Sequence, residues 1–153
     1  DYVLQGAGGD VRLSELFGDN RDLVLVHNMG KGCPYCTLWA DGFNGTLDHF
    51  ENRAAFVLVS PDAPTVQKEF AASRDWNFRM ISSEGSSFTK DLGFSSEHGT
   101  MPGYSTFHLN DDGSIERVAW SFYGPGDTYS AIWHMLGVLK DGVNDWQPRF
   151  KYE

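Results

Sequence analysis

The stretch Leu23-Val24-Leu25-Val26-His27-Asn28-Met29-Gly30-Lys31-Gly32-Cys33-Pro34-Tyr35-Cys36 contains both cysteines of the chain. Leu23 to Asn28 is nearly continuous in apolar character, which suits a core strand covered on both faces. The residues after Cys33 can start a helix, and Pro34 fits the first helical position because its missing N–H costs nothing there. Two cysteines three apart at a helix start can form and break one disulfide within a single turn. Free backbone N–H groups and the positive end of the helix dipole favour a thiolate on Cys33. Lys31, two residues upstream, adds a nearby positive charge. A Cys-x-x-Cys between a strand and a helix is a strong redox signal, whereas the bare spacing is a weak one.

A length of 153 residues bounds the chain to one domain, residues 1–153, with a substantial core. Its hydrophobic share of 41% and aromatic share of 14% argue for a folded globular protein. The net charge of −9 argues against nucleic acid or an anionic membrane as the main partner. No apolar run approaches the roughly 20 residues that span a bilayer. Two cysteines at this spacing do not make a secreted disulfide framework, and a cytoplasmic location is the expectation.

Outward from the cysteines, the N-terminus (1–22) reads as a hairpin extension. It comprises Tyr2-Val3-Leu4, a glycine-rich turn and Val11-Arg12-Leu13, then a helical turn capped by Ser14. Thr37 to Arg53 reads as helix, with Gly42 and Gly45 marking a kink or break. Ala55 to Val59 is a second buried strand. Thr65 to Trp76 is an amphipathic helix with Val66, Phe70 and Trp76 inward. A short strand (78–81) and a short helix (86–92) follow. The strands Tyr104–Leu109 and Ile115–Phe122 form a hairpin around Asn110-Asp111-Asp112-Gly113. A final helix is expected over 128–140, then an aromatic tail (141–153) whose Trp146, Phe150 and Tyr152 pack on their own domain or on a second subunit. Oligomeric state is left open. The order implies a three-layer α/β/α sandwich with a mixed central sheet.

The segments Gly9–Gly18, Leu23–Asn28, Cys33–Cys36 and Gly113 together resemble the thioredoxin superfamily, in its peroxiredoxin-like branch with the extra N-terminal hairpin. Gly32 to Gly45 is similar, more narrowly, to the bacterial thioredoxin-like domain of unknown function 899. The Pro-Tyr pair between the cysteines and Thr100-Met101-Pro102 also resemble glutaredoxins, although the hairpin and chain length depart from that family. The resemblance implies a cis-proline at Pro102, turning the backbone of Met101 toward the redox pair as a docking edge for substrate. It also puts His27 where thioredoxins carry a buried carboxylate near the second cysteine. A histidine there would act as base toward Cys36, or else be a core histidine bonded to a backbone carbonyl.

The candidate site is therefore Cys33 as attacking thiolate, Cys36 as resolving thiol and His27 as base, with Tyr35, Met101 and Pro102 contacting substrate. No histidine has zinc-finger spacing to the cysteines, so neither a metal nor another cofactor is expected. Trp39, Phe43, Trp76, Trp120 and Trp133 read as core, and Asp41, Asp48 and Glu51 as a solvated helix face. The function expected is thiol–disulfide exchange with a disulfide-containing protein or a small thiol. The alternatives are a peroxiredoxin-like peroxidase and a non-catalytic thioredoxin-like binding domain. Peroxiredoxins place a hydroxyl residue three before the reactive cysteine, and before Cys36 that place holds Cys33.

Overall fold

The computed structural model describes residues 1–153. Strands β3 (Asp22–His27) and β4 (Ala55–Ser60) pair in parallel at the centre of a seven-stranded sheet, with Leu25 opposite Val57. Side chains alternate across a strand, so each supplies both faces. Leu23, Leu25, Val57 and Val59 pack on one side with Phe17, Ile81, Phe88 and Phe107. Val26, Phe56 and Leu58 pack on the other with Cys36, Trp39, Ala40 and Trp76. Coverage of both faces is the reason these two runs are apolar throughout. Each fully buried Leu, Val or Phe stabilises the fold by roughly 1.5–3 kcal/mol.

The sheet order is β2 (Gly9–Arg12), β1 (Val3–Gly6), β5 (Arg79–Ser82), β4, β3, β8 (Gly103–Leu109), β9 (Ile115–Phe122). β4 and β5 run parallel, whereas β1 joins β5, and β8 joins β3 and β9, in antiparallel fashion. The sheet is thus mixed, as expected for a thioredoxin-like α/β sandwich. The N-terminal hairpin widens the sheet itself, with Gln5 opposite Ser82.

On the cysteine side lie α1 (Pro34–Gly45), α2 (Leu47–Arg53), α3 (Pro64–Ser73) and α5 (Ala131–Gly137), through Trp39, Leu47, Phe70 and Trp133. The opposite layer is thinner. It consists of a 3-10 turn (Leu13–Phe17) and α4 (Phe88–Asp91), with Phe17 and Phe88 fully buried.

Several local expectations change. The break expected around Gly42 and Gly45 is present, since α1 ends at Gly45 and the next residue, Thr46, donates its N–H to the Phe43 carbonyl, 3.1 Å away; the differences lie elsewhere. Ser14 does not cap its turn but donates to Asp1, and the Glu15 carboxylate accepts the Arg12 N–H instead. The last helix is seven residues rather than thirteen; before it, the Asp127 carboxylate takes the N–H groups of Gly124 and Tyr129 and holds that segment as a loop. A two-residue hairpin, β6 (Ser95–Ser96) with β7 (Gly99–Thr100), has no sequence periodicity to announce it. Asp41 is more than a solvated face: it accepts the Trp76 indole N–H at 2.8 Å and pairs with Arg74. Trp120 is half exposed, on edge strand β9 rather than in the core. The tail returns to its own domain, with Trp146 edge-on to Trp133 and the Phe150 carbonyl accepting from Arg74.

Candidate redox site

Cys33 is the N-cap of α1, with Pro34 in the first helical turn. The chain reaches it from β3 through the loop 28–32. Asn28 is buried at the end of β3; its side chain accepts the Gly30 N–H at 2.7 Å and donates to the Cys36 carbonyl at 3.5 Å. Gly30 is left-handed (φ 104°), and a Cβ there would press on the Asp62 carboxylate, 2.9 Å away. That carboxylate accepts the Lys31 N–H at 2.8 Å. Thr37 donates from its hydroxyl to the Cys33 carbonyl at 2.9 Å. Asn28, Asp62 and Thr37 therefore hold the cysteine turn in place. None carries a sequence motif, although Asn28 directly follows the strand.

The two cysteines are free thiols with different surroundings: Cys33 is half-buried and Cys36 is buried. The Cys36 N–H donates to Cys33 Sγ at 3.1 Å. The Cys36 thiol, with help from the backbone N–H groups of Cys36 and Tyr35, brings Cys33 down to about 7 against the opposing effect of partial burial. The same contact pushes Cys36 well above the ordinary thiol range, and burial adds to it. Once Cys33 is ionised the pair holds one proton, which resides on Cys36. Near pH 7 about half of Cys33 is thiolate. The expected cause shifts accordingly, with the partner thiol ranking above the helix start.

His27 does not meet Cys36. It follows Leu23 and Leu25 in the period-two pattern of β3, whereas Val26 shares the cluster of Cys36. The His27 ring stacks on Phe94 at 3.8 Å between centroids, and its Nε2 lies 2.9 Å from Ser105 Oγ. Arg117 donates to that same oxygen from Nε (3.2 Å) and Nη2 (3.0 Å). Arginine only donates, so the serine hydroxyl donates in turn to His27 Nε2, and the histidine proton sits on Nδ1. Nδ1 is buried without a partner in the chain. The base role expected for His27 is therefore corrected to a core histidine, bonded to a serine hydroxyl rather than to a carbonyl.

Burial, followed by the Arg117 charge, brings His27 down to about 3. An unfolded histidine titrates near 6.5. Between those values the unfolded chain holds a proton that the folded chain refuses, so stability falls as pH drops through this window. The expected slope is about 1.4 kcal/mol per pH unit. Urea unfolding at pH 6.5, 5.5 and 4.5 is expected to show it in the native chain and to lose that component in His27→Gln. Equal slopes in both proteins would rule out His27 as the source.

Tyr35 is half-buried and stacks on Trp133 with centroids 6.2 Å apart. Met101 and Pro102 lead into β8, whose Gly103 pairs with His27, so they lie at the end of the sheet that also carries the cysteine loop. The Met101–Pro102 bond is trans, since the chain has no cis peptide bond. This corrects the cis-proline expectation. The Met101 N–H donates to the Phe94 carbonyl (2.7 Å), and the Pro102 carbonyl accepts from Tyr123 (2.9 Å). The Met101 N–H and the Pro102 carbonyl are therefore committed inside the chain.

The fold is similar to solved peroxiredoxins. Bacterioferritin comigratory protein of Xanthomonas campestris is 21% identical at a TM-score of 0.59, over 78% of this chain and 79% of that one. Peroxidoxin BcpB of Mycobacterium tuberculosis is 26% identical at 0.59, over 76% and 79%. Reduced Prx3 of Vibrio vulnificus, solved with hydrogen peroxide, is 19% identical at 0.62, over 82% and 84%. No curated protein matches the chain. The model of one protein family matches residues 1–151, nearly the whole length, and the chain accordingly belongs to that family, described as Bacterial protein of unknown function (DUF899).

Proposed function

We propose that this protein is a thiol–disulfide oxidoreductase in which Cys33 attacks and Cys36 resolves. The observation that supports this reading best is the asymmetry of the pair: a half-buried thiol held near 7 beside a buried one held high. The Cys33 thiolate attacks one sulfur of a substrate disulfide, forming a mixed disulfide and releasing the other sulfur as a thiolate that takes up a proton. Cys36 then loses its proton and attacks Cys33 Sγ, expelling the second substrate sulfur. Two electrons have passed to the substrate, and the protein is left with a Cys33–Cys36 disulfide.

The order of the steps is built into the electrostatics. Cys33 is the main reason that Cys36 holds its proton. The first step consumes the Cys33 thiolate, so it removes that hold as the resolving attack becomes due. Burial still raises the Cys36 thiol after that step, so its proton leaves as the resolving attack proceeds and is taken up by the departing substrate thiolate or by solvent.

A second reading is favoured by the peroxiredoxin neighbours, one of them solved with hydrogen peroxide. The Cys33 thiolate would attack a peroxide oxygen, giving a sulfenic acid and releasing water or an alcohol, and Cys36 would condense with the sulfenic acid to give the disulfide and water. One pair of assays separates the two. Dithiothreitol-driven insulin reduction is expected to accelerate with this protein. Rapid peroxide consumption without insulin reduction would replace the first reading with the second.

A further inference from the structure

A cleft of about 460 Å³ opens against Tyr35, the residue before Cys36. This is within the size range of small-ligand pockets. One of its walls is Tyr35, which sits between Pro34 and Cys36 in the first turn of α1, two residues after Cys33; neither cysteine is itself part of the lining. Trp133 and Trp146 form the aromatic remainder. Trp133 stacks on Tyr35 with 23° between planes, and Trp146 meets Trp133 edge-on with centroids 6.2 Å apart. The polar side chains of the lining are Asn144, Asp145 and Gln147. Asn144 is left-handed (φ 44°) and lies in a turn closed by the Trp146 N–H donating to the Val143 carbonyl at 3.2 Å. That turn sets Asp145 between Asn144 and the Trp146 wall.

The charge balance of the cleft is one-sided. Asp145 is the only lining residue charged at neutral pH, no Lys, Arg or His lines the cleft, and the whole chain carries −9. Aromatic faces attract a cation through their quadrupole, and a carboxylate beside them adds direct attraction. An anionic disulfide would meet unfavourable potential at the same place. A larger cavity of about 590 Å³ further along α1 contains both Asp41 and Arg149 and does not include Tyr35 in its lining. It has neither the position nor the charge bias.

Taking the dithiol reading above as its basis, we infer that this cleft is a specificity subsite. It receives a basic side chain, Arg or Lys, next to the disulfide cysteine of a polypeptide substrate. The aromatic walls hold the cationic end, Asp145 neutralises it, and the neighbouring disulfide is presented to Cys33.

The test uses four disulfide-linked peptides that differ only in the residue beside the cysteine, which is Arg, Lys, Ala or Glu, with neutral 2-hydroxyethyl disulfide alongside. The expected kcat/KM for the Arg and Lys peptides exceeds that for the Glu peptide by about tenfold. This ratio is expected to collapse toward one in Asp145→Asn. Because the readout is a ratio within one protein, a general loss of activity in the variant cancels. Equal rates on the four peptides, or a preference that survives Asp145→Asn, would overturn the subsite while turnover of 2-hydroxyethyl disulfide leaves the dithiol reading standing. No turnover of any disulfide would overturn the dithiol reading and the subsite with it.

Discussion

Cys33→Ser is expected to lower disulfide reduction by at least about a thousandfold, since it removes the only thiol that is both accessible and partly ionised near neutral pH. Cys36→Ser is expected to fail differently. Its first attack proceeds, the resolving sulfur is missing, and the protein accumulates as a mixed disulfide with substrate that intact-mass spectrometry detects. The pH dependence is the sharper check. Alkylation of Cys33 by iodoacetamide is expected to rise through a half-point near 7, against about 8.5 for an ordinary thiol. The Cys36 thiol is the leading cause of that depression, so in Cys36→Ala the half-point is expected to move upward. An identical half-point in the two proteins would assign the depression to the backbone N–H groups alone.

The second large effect is structural. Gly103 opens β8 between His27 on β3 and Phe122 on β9. A Cβ there would run into the Ser121 carbonyl oxygen and the Phe94 ring, with Phe122 Cα 3.0 Å away. Two of these obstacles are backbone atoms, which cannot rotate aside. Gly103→Ala is expected to destabilise the fold by about 3 kcal/mol or more. For a chain of this size that corresponds to a fall in Tm of roughly 6–12 °C. Gly42→Ala is the matched control. Gly42 lies within α1 with open space where its Cβ would be, so this change is expected to stabilise by about 0.5–1 kcal/mol. A near-neutral Gly103→Ala would mean that β9 can shift outward.

The sheet and the cysteine turn were legible because single physical causes dominate them. Continuous apolar runs such as Leu23–His27 and Ala55–Val59 mean strands covered on both faces, and both strands lie at the sheet centre. Pro34 after a cysteine marked the start of α1 correctly. What failed depended on partners distant in sequence. The alternation of β3 puts His27 on the face of Leu23 and Leu25, but that α1 and Cys36 pack on the other face, with Val26, is a tertiary fact that no local pattern reveals. The cis bond expected at Pro102 came from resemblance, while the bond is trans, the ordinary state of an X–Pro bond. Asn28 and Asp62 brace the site through backbone N–H groups, and short polar side chains of that kind occur in every loop. Tyr35 was read as a substrate contact from its place between the cysteines, but the Trp133 and Trp146 walls around it come from the far end of the chain.

Ser105 Oγ joins three strands at one atom: β3 through His27, β8 through Ser105 itself and β9 through Arg117. The bulge that leaves Val118 without a partner returns Arg117 to that face. Losing the hydroxyl alone would leave a buried histidine acceptor without its donor, while the half-buried Arg117 would lose its acceptor in the chain, so an apolar residue at 105 is expected to be costly. Inheritance is constrained as a consequence. Across the lineages of this family, positions 27, 105 and 117 are expected to change as a set, and a descendant with an apolar residue at 105 is expected to have surrendered both the histidine and the arginine.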